Sequence, residues 1–182
     1  MTIPTIETER LLLRPYRLED ASDYARHIFS DADVMRFMNV EGKVPQYPFL
    51  QAKSYIVERN RQWDRRGYGA WALVEKATDR FMGHVGLFII DNTDVIEVGY
   101  ALGRTFWGNG YATEAAHATL RYGFDVVGLD EIVAVAFPEN TASLRVMEKV
   151  GMTSQGITDR YYDVMLACYT LTRADFEKQN AR

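Results

Sequence analysis

The sequence contains one cysteine, Cys168, among 182 residues, and its three histidines are His27, His84 and His117. A lone cysteine excludes an intramolecular disulfide framework and fits a reducing compartment. The single thiol and the scattered histidines offer no metal-ligand spacing, so we predict neither a zinc site nor an iron–sulfur site. The sequence therefore predicts a chain that folds without disulfides or metals, in the cytoplasm.

Long hydrophobic runs are absent as well. No uninterrupted apolar stretch approaches the roughly 20 residues that a membrane-spanning helix requires, and residues 1–16 lack the apolar core of a signal peptide. Basic residues are in slight deficit, with 21 Lys and Arg against 25 Asp and Glu. Because nucleic-acid binding depends on positive charge facing phosphates, this balance argues against it. We expect neither a membrane nor a nucleic-acid partner.

The composition, with 47% hydrophobic and 25% charged residues, is typical of a globular domain. A chain of this length buries roughly 70% of the surface that its unfolded form exposes, which is enough to form a core. No repeat, low-complexity tract or linker divides the chain, and its longest segment without clear periodicity, residues 39–48, is predicted to be an internal loop. We therefore predict a single domain over residues 1–182.

Hydrophobic periodicity predicts the order of the secondary-structure elements. Apolar residues at helical spacing begin at Leu18 and again at Ala52, and the second helix is predicted to end at Gly67, because glycine favours helix C-termini. Strands are predicted at residues 11–14, 70–74, 81–90, 95–102, 132–137 and 163–171, and further helices at residues 112–127 and 140–150. This order predicts an α/β fold with one mixed sheet flanked by helices.

The most informative segment is residues 95–114, VIEVGYALGRTFWGNGYATE. An apolar strand leads into a loop with Gly108 and Gly110, and a helix follows at once. Glycines let a backbone approach an anion closely, and the unpaired N–H groups of a first helical turn donate to it at the positive end of the helix dipole. The segment therefore predicts a phosphate-binding loop.

Three kinds of loop use this arrangement, and spacing separates them. A P-loop requires G-x-x-x-x-G-K-[ST], which the segment lacks. A dinucleotide-binding fingerprint requires a third Gly or Ala where Thr113 stands, and an acid at the end of the next strand, whereas Asp130 and Glu131 lie at its start. An acetyl-CoA loop is the remaining alternative.

Residues 107–112, WGNGYA, match the pyrophosphate motif [RQ]-x-x-G-x-[GA] at Gly110 and Ala112 and depart from it at Trp107. That motif belongs to the GNAT superfamily of N-acetyltransferases, which the chain resembles. The longer run GYALGRTFWGNGYATEA is similar to the branch that includes the bacterial ribosomal-protein N-terminal acetyltransferases, in which an aromatic residue often replaces the first Arg or Gln. The departure at Trp107 thus indicates a branch of the superfamily.

A second match lies one helix and one strand further on. Residues 140–152, NTASLRVMEKVGM, resemble that branch's N-x-x-S-x-x-[VLM]-[LM]-E-K-x-G-[FM], and TERLLLRPYRLEDA and MGHVGL resemble it too, so that the resemblance covers residues 7–173. It implies a GNAT-type mixed β-sheet, splayed between the strands at residues 95–102 and 132–137. Acetyl-CoA would bind on one side of the splay, and an amine acceptor on the other.

Glu97 is the first candidate catalytic residue, because it is the one charge in an otherwise apolar strand. Loss of solvent should raise its pKa toward the range of a general base that deprotonates the amine, directly or through water. In the superfamily a carboxylate often holds this role on this strand. The alternative is that Glu97 forms a structural ion pair with a neighbouring arginine.

Ser143 is the second candidate, because the resemblance implies that it donates a proton to the CoA thiolate. Hydroxyls also cap helices, so Ser143 is equally expected at the N-cap or in the first turn, and both roles can hold together. Asn140 is a candidate either for the cap of this helix or for the pantetheine amides. Arg145 is a candidate for the cofactor phosphates or is a solvated surface residue.

The remaining cofactor-binding candidates follow from the glycine loop and from the resemblance. Gly99 in mid-strand indicates a bulge or a close backbone approach, with a glycine needed only for packing as the alternative. The resemblance implies that the backbone near Tyr100, Ala101 and Leu102 pairs with the pantetheine arm and binds the oxyanion. Backbone N–H groups of the loop are predicted to bind the pyrophosphate, and these belong to Trp107, Gly108, Asn109, Gly110, Tyr111, Ala112 and Thr113.

The acceptor amine stays open between a protein N-terminus and a small molecule. An α-amino group has a pKa of about 7.7–8.0 and a lysine amine about 10.4, so the former needs less help from a base. The resemblance implies that residues 37–49 and the helices flanking them form the acceptor wall, and His84 either faces the acceptor or lies in the core. Aromatic residues expected mostly in the core, with some at the acceptor, are Tyr47, Phe49, Trp63, Tyr68, Trp71, Tyr161 and Tyr162.

The resulting prediction is an acetyl-CoA-dependent N-acetyltransferase that acts through direct attack in a ternary complex. An alternative is a catalytically silent acyl-CoA-binding regulatory domain, against which the presence of Glu97 and Ser143 argues. A nucleotide-binding oxidoreductase is disfavoured by the absent third glycine. The oligomeric state stays open, with a homodimer as one alternative.

Overall fold

A computed structural model describes residues 3–38 and 41–181. Its strands are β1 (Ile6–Glu7), β2 (Leu11–Arg14), β3 (Ala70–Glu75), β4 (Arg80–Ile89), β5 (Ile96–Leu102), β6 (Glu131–Ala136), β7 (Thr153–Thr158) and β8 (Leu166–Thr172). Its helices are α1 (Asp20–Tyr24), α2 (Ala32–Met35), α3 (Pro48–Arg66), α4 (Tyr111–Tyr122), α5 (Thr141–Lys149) and α6 (Arg173–Asn180). Helices α1 and α4 each continue into a π-helical turn, Ala25–Phe29 and Gly123–Val127.

The strands form one mixed sheet in the order β1-β2-β3-β4-β5-β6-β8-β7. Antiparallel pairing joins β4 to β5 along the whole length of β5, from Gly83 opposite Leu102 to Ile89 opposite Ile96. Between β5 and β6, which run parallel, the described residues pair at one register position, Glu97 opposite Val133. The two strands therefore diverge beyond Glu97, and this confirms the predicted splay.

Alternation along β5 divides its side chains between the two faces of the sheet. Glu97, Gly99 and Ala101 share a face with their cross-strand partners in β4, among them Phe88 and His84. This face is covered by α1 and α3, because Ala101 belongs to the same buried cluster as residues of those helices. We call it the acceptor face.

The opposite face of the sheet is covered by α4 and α5. Val98 of β5 packs there in one buried cluster with Leu120 of α4 and Met147 of α5. Leu102 packs in a neighbouring cluster with Ala115 of α4. The helix that follows the glycine loop thus lies on the opposite side of the sheet from Glu97, and we call this side the cofactor face.

All of the predicted strands and helices are found. The elements that were not predicted have only weak periodicity of apolar residues in the sequence. Strand β7 is an exposed edge strand, so its sequence TSQGIT carries no alternation of apolar residues. Helix α6 buries Phe176 and is otherwise polar. The predicted loop at residues 39–48 includes residues 39 and 40, which lie outside the described residues, and it ends where α3 begins at Pro48.

Within residues 3–38 and 41–181, none of the helices has both the length and the apolar character needed to cross a membrane. Within the same residues, His, Cys, Asp and Glu side chains do not gather in groups of three or more that could hold a metal ion.

Candidate active site

A cavity of about 880 Å³ lies where β5 and β6 diverge. It is bounded by the end of β5, the glycine loop, the start of α5 and, on the acceptor face, by α3 and β4. The predicted site residues in its lining are Glu97, Tyr100, Ala101, Leu102, Trp107, Gly108, Gly110, Tyr111, Ala112, Thr113, Asn140, Ser143 and Arg145. Segments that are far apart in the sequence therefore meet at one site.

Glu97 is half-buried in the wall of this cavity. Burial raises the pKa of its carboxyl group to about 7, the nearby charge of Asp91 raises it too, and a hydrogen bond from Tyr162 lowers it. The Tyr162 hydroxyl donates to Glu97 Oε1 at 2.6 Å. Among the described residues, the side chain that bonds to Glu97 is thus the phenol of Tyr162. The alternative prediction, an ion pair with an arginine, is not found there. A carboxyl group with this pKa can take up a proton at neutral pH.

Tyr162 lies in the turn between β7 and β8 and lines the same cavity. Its φ is 60° and that of Asp163 is 55°, a left-handed backbone conformation that is uncommon outside glycine. Burial and the neighbouring Glu97 raise the pKa of the phenol far above neutrality, so it stays a donor. The sequence alone indicated Tyr162 only as one of several aromatic residues.

The glycine loop presents free backbone donors at the start of α4. Gly108 and Gly110 have φ values of 78° and 79°, and Gly110 is the N-cap residue of α4, with no side-chain cap. Backbone pairing at this end begins with the Glu114 N–H, which donates to the Gly110 carbonyl at 3.1 Å. The N–H groups of the residues between them therefore have no helical acceptor, and the positive end of the helix dipole fits a pyrophosphate.

One amide predicted for the pyrophosphate is already engaged. The Trp107 N–H donates to the Arg104 carbonyl at 3.1 Å, so the row of available amides begins at Gly108. Trp107 is 45% exposed, and its indole N–H donates to the Leu102 carbonyl at 2.7 Å. Trp107 thus fixes the path from β5 into the loop.

Asn109 is the predicted site residue that does not line the cavity. Its side-chain amide donates to the Trp107 carbonyl at 3.0 Å and to the Phe106 carbonyl at 3.3 Å. Its own carbonyl accepts from Arg10 at 2.9 Å, and Arg10 also pairs with Glu114 at 2.7 Å. The Asn109 side chain therefore holds the loop in shape and leaves only its backbone for the cofactor.

The structure identifies the N-cap residue of α5, for which the sequence offered both Asn140 and Ser143. The Asn140 side chain accepts from the Ser143 N–H at 3.2 Å, so Asn140 is the N-cap and Ser143 lies in the first turn. Ser143 is half-buried in the cavity wall, and its carbonyl accepts from the Tyr100 hydroxyl at 3.1 Å. Tyr100 thus bridges β5 and α5 across the splay.

Several cations lie on the cofactor side of the site. Arg145 is exposed and lines the main cavity, as does Lys149. A second cavity of about 590 Å³ adjoins the glycine loop and is lined by Lys149 again and by Arg10 and Arg121. The sequence alone gives no signal for these three residues, because they lie on separate elements and form no local motif.

On the acceptor face, the bulge predicted at Gly99 is wrong, and the alternative of a packing glycine is found. Gly99 pairs regularly with Gly86, so β5 has no bulge there. A Cβ atom at Gly99 would come within 3.0 Å of the Phe88 ring, so the glycine makes room for that ring. Of the predicted acceptor wall, Phe37 and Met38 line the cavity, whereas the described residues 41–49 do not.

His84 combines both of its predicted roles. It is buried, and its Nδ1 lies 3.0 Å from the Tyr24 hydroxyl, yet it also lines the cavity. Burial and then the charge of Arg59 lower the pKa of His84 to about 3, so the ring is neutral. On this face, α3 supplies the wall through Tyr55 and Arg59.

The splayed sheet and the glycine loop at a helix N-terminus define an enzyme that binds an acyl-CoA beside an acceptor pocket. Residues 10–153 match the family described as "Acetyltransferase (GNAT) domain". The chain is 34% identical over 158 residues to the "Uncharacterized N-acetyltransferase p20" of Bacillus licheniformis, and the match covers 86% of each chain. The chain therefore belongs to the GNAT family of acetyltransferases.

Solved structures agree with this assignment. A GNAT-family acetyltransferase from Bacillus anthracis superposes with a TM-score of 0.79 at 27% identity, covering 94% of this chain and 99% of the other. The microcin C7 self-immunity acetyltransferase MccE, solved with acetyl-CoA and AMP, shares the fold at 19% identity, with a TM-score of 0.75 and coverage of 91% and 93%. The protein is an acetyl-CoA-dependent N-acetyltransferase.

Proposed function

We propose that the protein transfers the acetyl group of acetyl-CoA directly to a primary amine, a small-molecule amine or a protein N-terminus, within a ternary complex. The observation that carries this proposal is the position of Glu97. Its carboxyl group, with a pKa of about 7, lines the cavity at the point where β5 loses its pairing with β6. A base at that point can reach both the acceptor face and the unpaired edge of β5.

In the proposed transfer, Glu97, the backbone of β5 and Ser143 each have one role. Acetyl-CoA, when bound, supplies a thioester carbonyl that reacts with amines. Glu97 takes the proton that the amine nitrogen loses as the new C–N bond forms. Backbone N–H groups near Tyr100, Ala101 and Leu102 donate to the carbonyl oxygen as it becomes negative. The Ser143 hydroxyl gives a proton to the sulfur as the C–S bond breaks, and regains one from solvent.

The same proposal assigns the residues that hold the cofactor. The N–H groups from Gly108 to Thr113 would bind the pyrophosphate, because they have free donors and a favourable dipole. Arg145 would bind a phosphate from its exposed position on α5. The unpaired edge of β5 would bind the pantetheine amides as a neighbouring strand does.

The proposal also covers the domain organisation, the cellular location and the oligomeric state. We propose a single catalytic domain over residues 1–182, supported by the absence of any linker-like tract in the sequence. A cytoplasmic location is supported by the single cysteine. The proposal holds for a monomer and for a homodimer alike.

Initial-rate kinetics test the proposed function. Free thiol would be measured while acetyl-CoA and each member of a panel of amines are varied together, with mass spectrometry of the amine product. We expect intersecting double-reciprocal lines, because both substrates must be bound before transfer. Parallel lines, which indicate a covalent acetyl-enzyme, or thiol release without acetylated amine would overturn the proposal.

A further inference from the structure

Arg59 is a charged side chain of α3 that lines the acceptor half of the cavity. Its Nε is buried and lacks a hydrogen-bond partner among the described residues. Its guanidinium carbon lies 4.9 Å from the centre of the Tyr55 ring and 5.7 Å from that of Phe88. Two aromatic rings therefore hold the guanidinium at the cavity wall, where its hydrogen-bonding capacity is not used up.

Four titratable side chains whose pKa values respond to the charge of Arg59 are neutral. Burial raises the pKa values of Tyr16, Tyr24 and Tyr55, although the charge of Arg59 lowers each of them. His84 is neutral because burial and Arg59 lower its pKa to about 3. None of these four side chains supplies a negative charge to the guanidinium at neutral pH.

The carboxylates of residues 3–38 and 41–181 do not fill this role. Asp20 lies close enough to Tyr16 to affect its pKa, but both oxygens of Asp20 accept from Arg14, at 2.7 Å and 2.8 Å. The ion pairs formed by the described residues do not include Arg59. Because an unpaired, partly buried charge is costly, this position calls for an anion from outside the chain.

Arg59 and Glu97 lie on the same side of the sheet with one aromatic ring between them. Phe88 is the direct cross-strand partner of Glu97, and such partners have Cβ atoms roughly 4.5–5.5 Å apart. The Arg59 guanidinium stacks over that same Phe88 ring. The acceptor face thus presents a proton acceptor and a fixed cation at opposite ends of an apolar surface.

We propose that the natural acceptor is a small amine that also carries an anionic group, a carboxylate or a phosphate, and that Arg59 binds this group while the amine faces Glu97. The inference rests on the proposed function. Ionised Glu97 repels an anion and attracts an ammonium group, so the two charges fix the orientation of such a molecule. Guanidinium suits both oxyanions because it donates two parallel hydrogen bonds. The apolar part of the acceptor would lie against Phe88 and Met38.

Matched pairs of acceptors test this assignment. Thiol release would be measured with ω-amino acids of increasing chain length and with their N-methylamides, which keep the amine and the length and remove the charge. A parallel series of ω-aminoalkyl phosphates distinguishes the two kinds of anion. At one chain length we expect kcat/KM to be at least tenfold higher for an anionic member than for its neutral partner.

Variants at Arg59 separate recognition from structure. We expect Arg59→Met to raise KM for the anionic acceptor at least tenfold and to leave KM for acetyl-CoA and for the neutral acceptor unchanged. Arg59→Lys should restore part of the preference. Arg61→Met, which removes an exposed arginine of the same helix outside the cavity lining, serves as the matched control and should behave as the parent does.

A binding measurement gives a second readout. Calorimetric titration of the preferred anionic amine into the protein with CoA present should give a Kd at least tenfold weaker for Arg59→Met. Equal kcat/KM for charged and neutral partners at every length would overturn the inference alone. A loss in Arg59→Met that is equal for both members of a pair would also overturn it. Failure to acetylate any amine would overturn the proposed function and the inference with it.

Discussion

The Tyr162 hydroxyl donates a hydrogen bond of 2.6 Å to Glu97, from a turn in which Tyr162 and Asp163 both have positive φ values. Such conformations cost roughly 1–3 kcal/mol each in non-glycine residues, and they persist where the surrounding structure holds them. The bond connects the loop between β7 and β8 to the carboxyl group on β5. It also stabilises the charged form of that carboxyl group and so opposes the effect of burial.

Replacing Tyr162 by phenylalanine should raise the pKa of Glu97 above its value of about 7, because the donor to the carboxylate is lost. If Glu97 is the base, the acidic limb of kcat/KM then moves to higher pH, by roughly 0.5–1 pH unit for one hydrogen bond. The pH–rate profile measures this directly. Tyr161→Phe, at the buried neighbouring position, is the control and should leave the acidic limb in place. An acidic limb that does not move in Tyr162→Phe would show that the hydrogen bond has no effect on the pKa of Glu97.

Glu97→Gln keeps the size of the side chain and removes the base. We expect kcat/KM to fall by about 10²–10⁴ and to lose its acidic limb. Glu139→Gln is the matched control, because Glu139 is an exposed acid that lines the same cavity. An unchanged pH profile in Glu97→Gln, or an equal loss in both variants, would show that Glu97 is not the base.

The same substitution should change how stability depends on pH. In the folded protein the pKa of Glu97 is about 7, above its ordinary value of 4.5, so the folded state binds an extra proton between these values. The stability from this group is fully present below pH 4.5 and is lost as the pH rises through 7. The Tm of Glu97→Gln relative to the parent should therefore be higher at pH 8 than at pH 5. A difference that is constant over this range would argue against the raised pKa.

Ser143→Ala should reduce kcat less than Glu97→Gln does, because a thiol with a pKa near 8.5 leaves readily at neutral pH. The substitution should also leave Tm nearly unchanged, since the cap of α5 is the side chain of Asn140. Asn140→Ala is the contrasting variant and should lose about 0.5–2 kcal/mol of stability. If the activity of Ser143→Ala fell only in proportion to its unfolded fraction, Ser143 would have no part in proton transfer.

Gly110→Glu should weaken CoA binding by roughly tenfold or more, a change of at least 1.4 kcal/mol. The new side chain would strain a residue with a φ of 79° and would bring a negative charge to the free amides. Gly128→Glu is the matched control, because Gly128 has a φ of 85° and lies outside both cavities. Calorimetric titration with CoA compares the two. Equal affinities in the two variants would mean that the loop does not hold the pyrophosphate.

The parts of the site that could be predicted from sequence are those with a local pattern. Gly108 and Gly110 sit between a strand and a helix, and Glu97 is the one charge in an apolar run, so each was visible within a few residues. Tyr162 and Arg59 have no such signal. Their positions depend on a turn with positive φ and on the packing of α3 against the sheet, which only the folded chain determines.

The same distinction explains why the sequence left alternatives open at Gly99 and at the start of α5. Glycine in a strand is compatible with a bulge and with a close contact, and at Gly99 the contact is the ring of Phe88, which lies eleven positions earlier in the chain. A serine near a helix start is compatible with several cap positions, and the one that forms is decided by Asn140. Local chemistry limits the alternatives in both cases, and tertiary contacts select among them.

The single position at which β5 pairs with β6 divides the sheet into two leaves, β1 to β5 and β6 to β8. A ligand that pairs its amides with the free edge of β5 acts as an inserted strand and completes the hydrogen bonding between the leaves. Bound acetyl-CoA should then stabilise the folded protein, by a free energy that rises with the logarithm of its concentration. Release of CoA must break the same bonds. Tighter pairing along this edge would therefore stabilise the protein and slow each turnover.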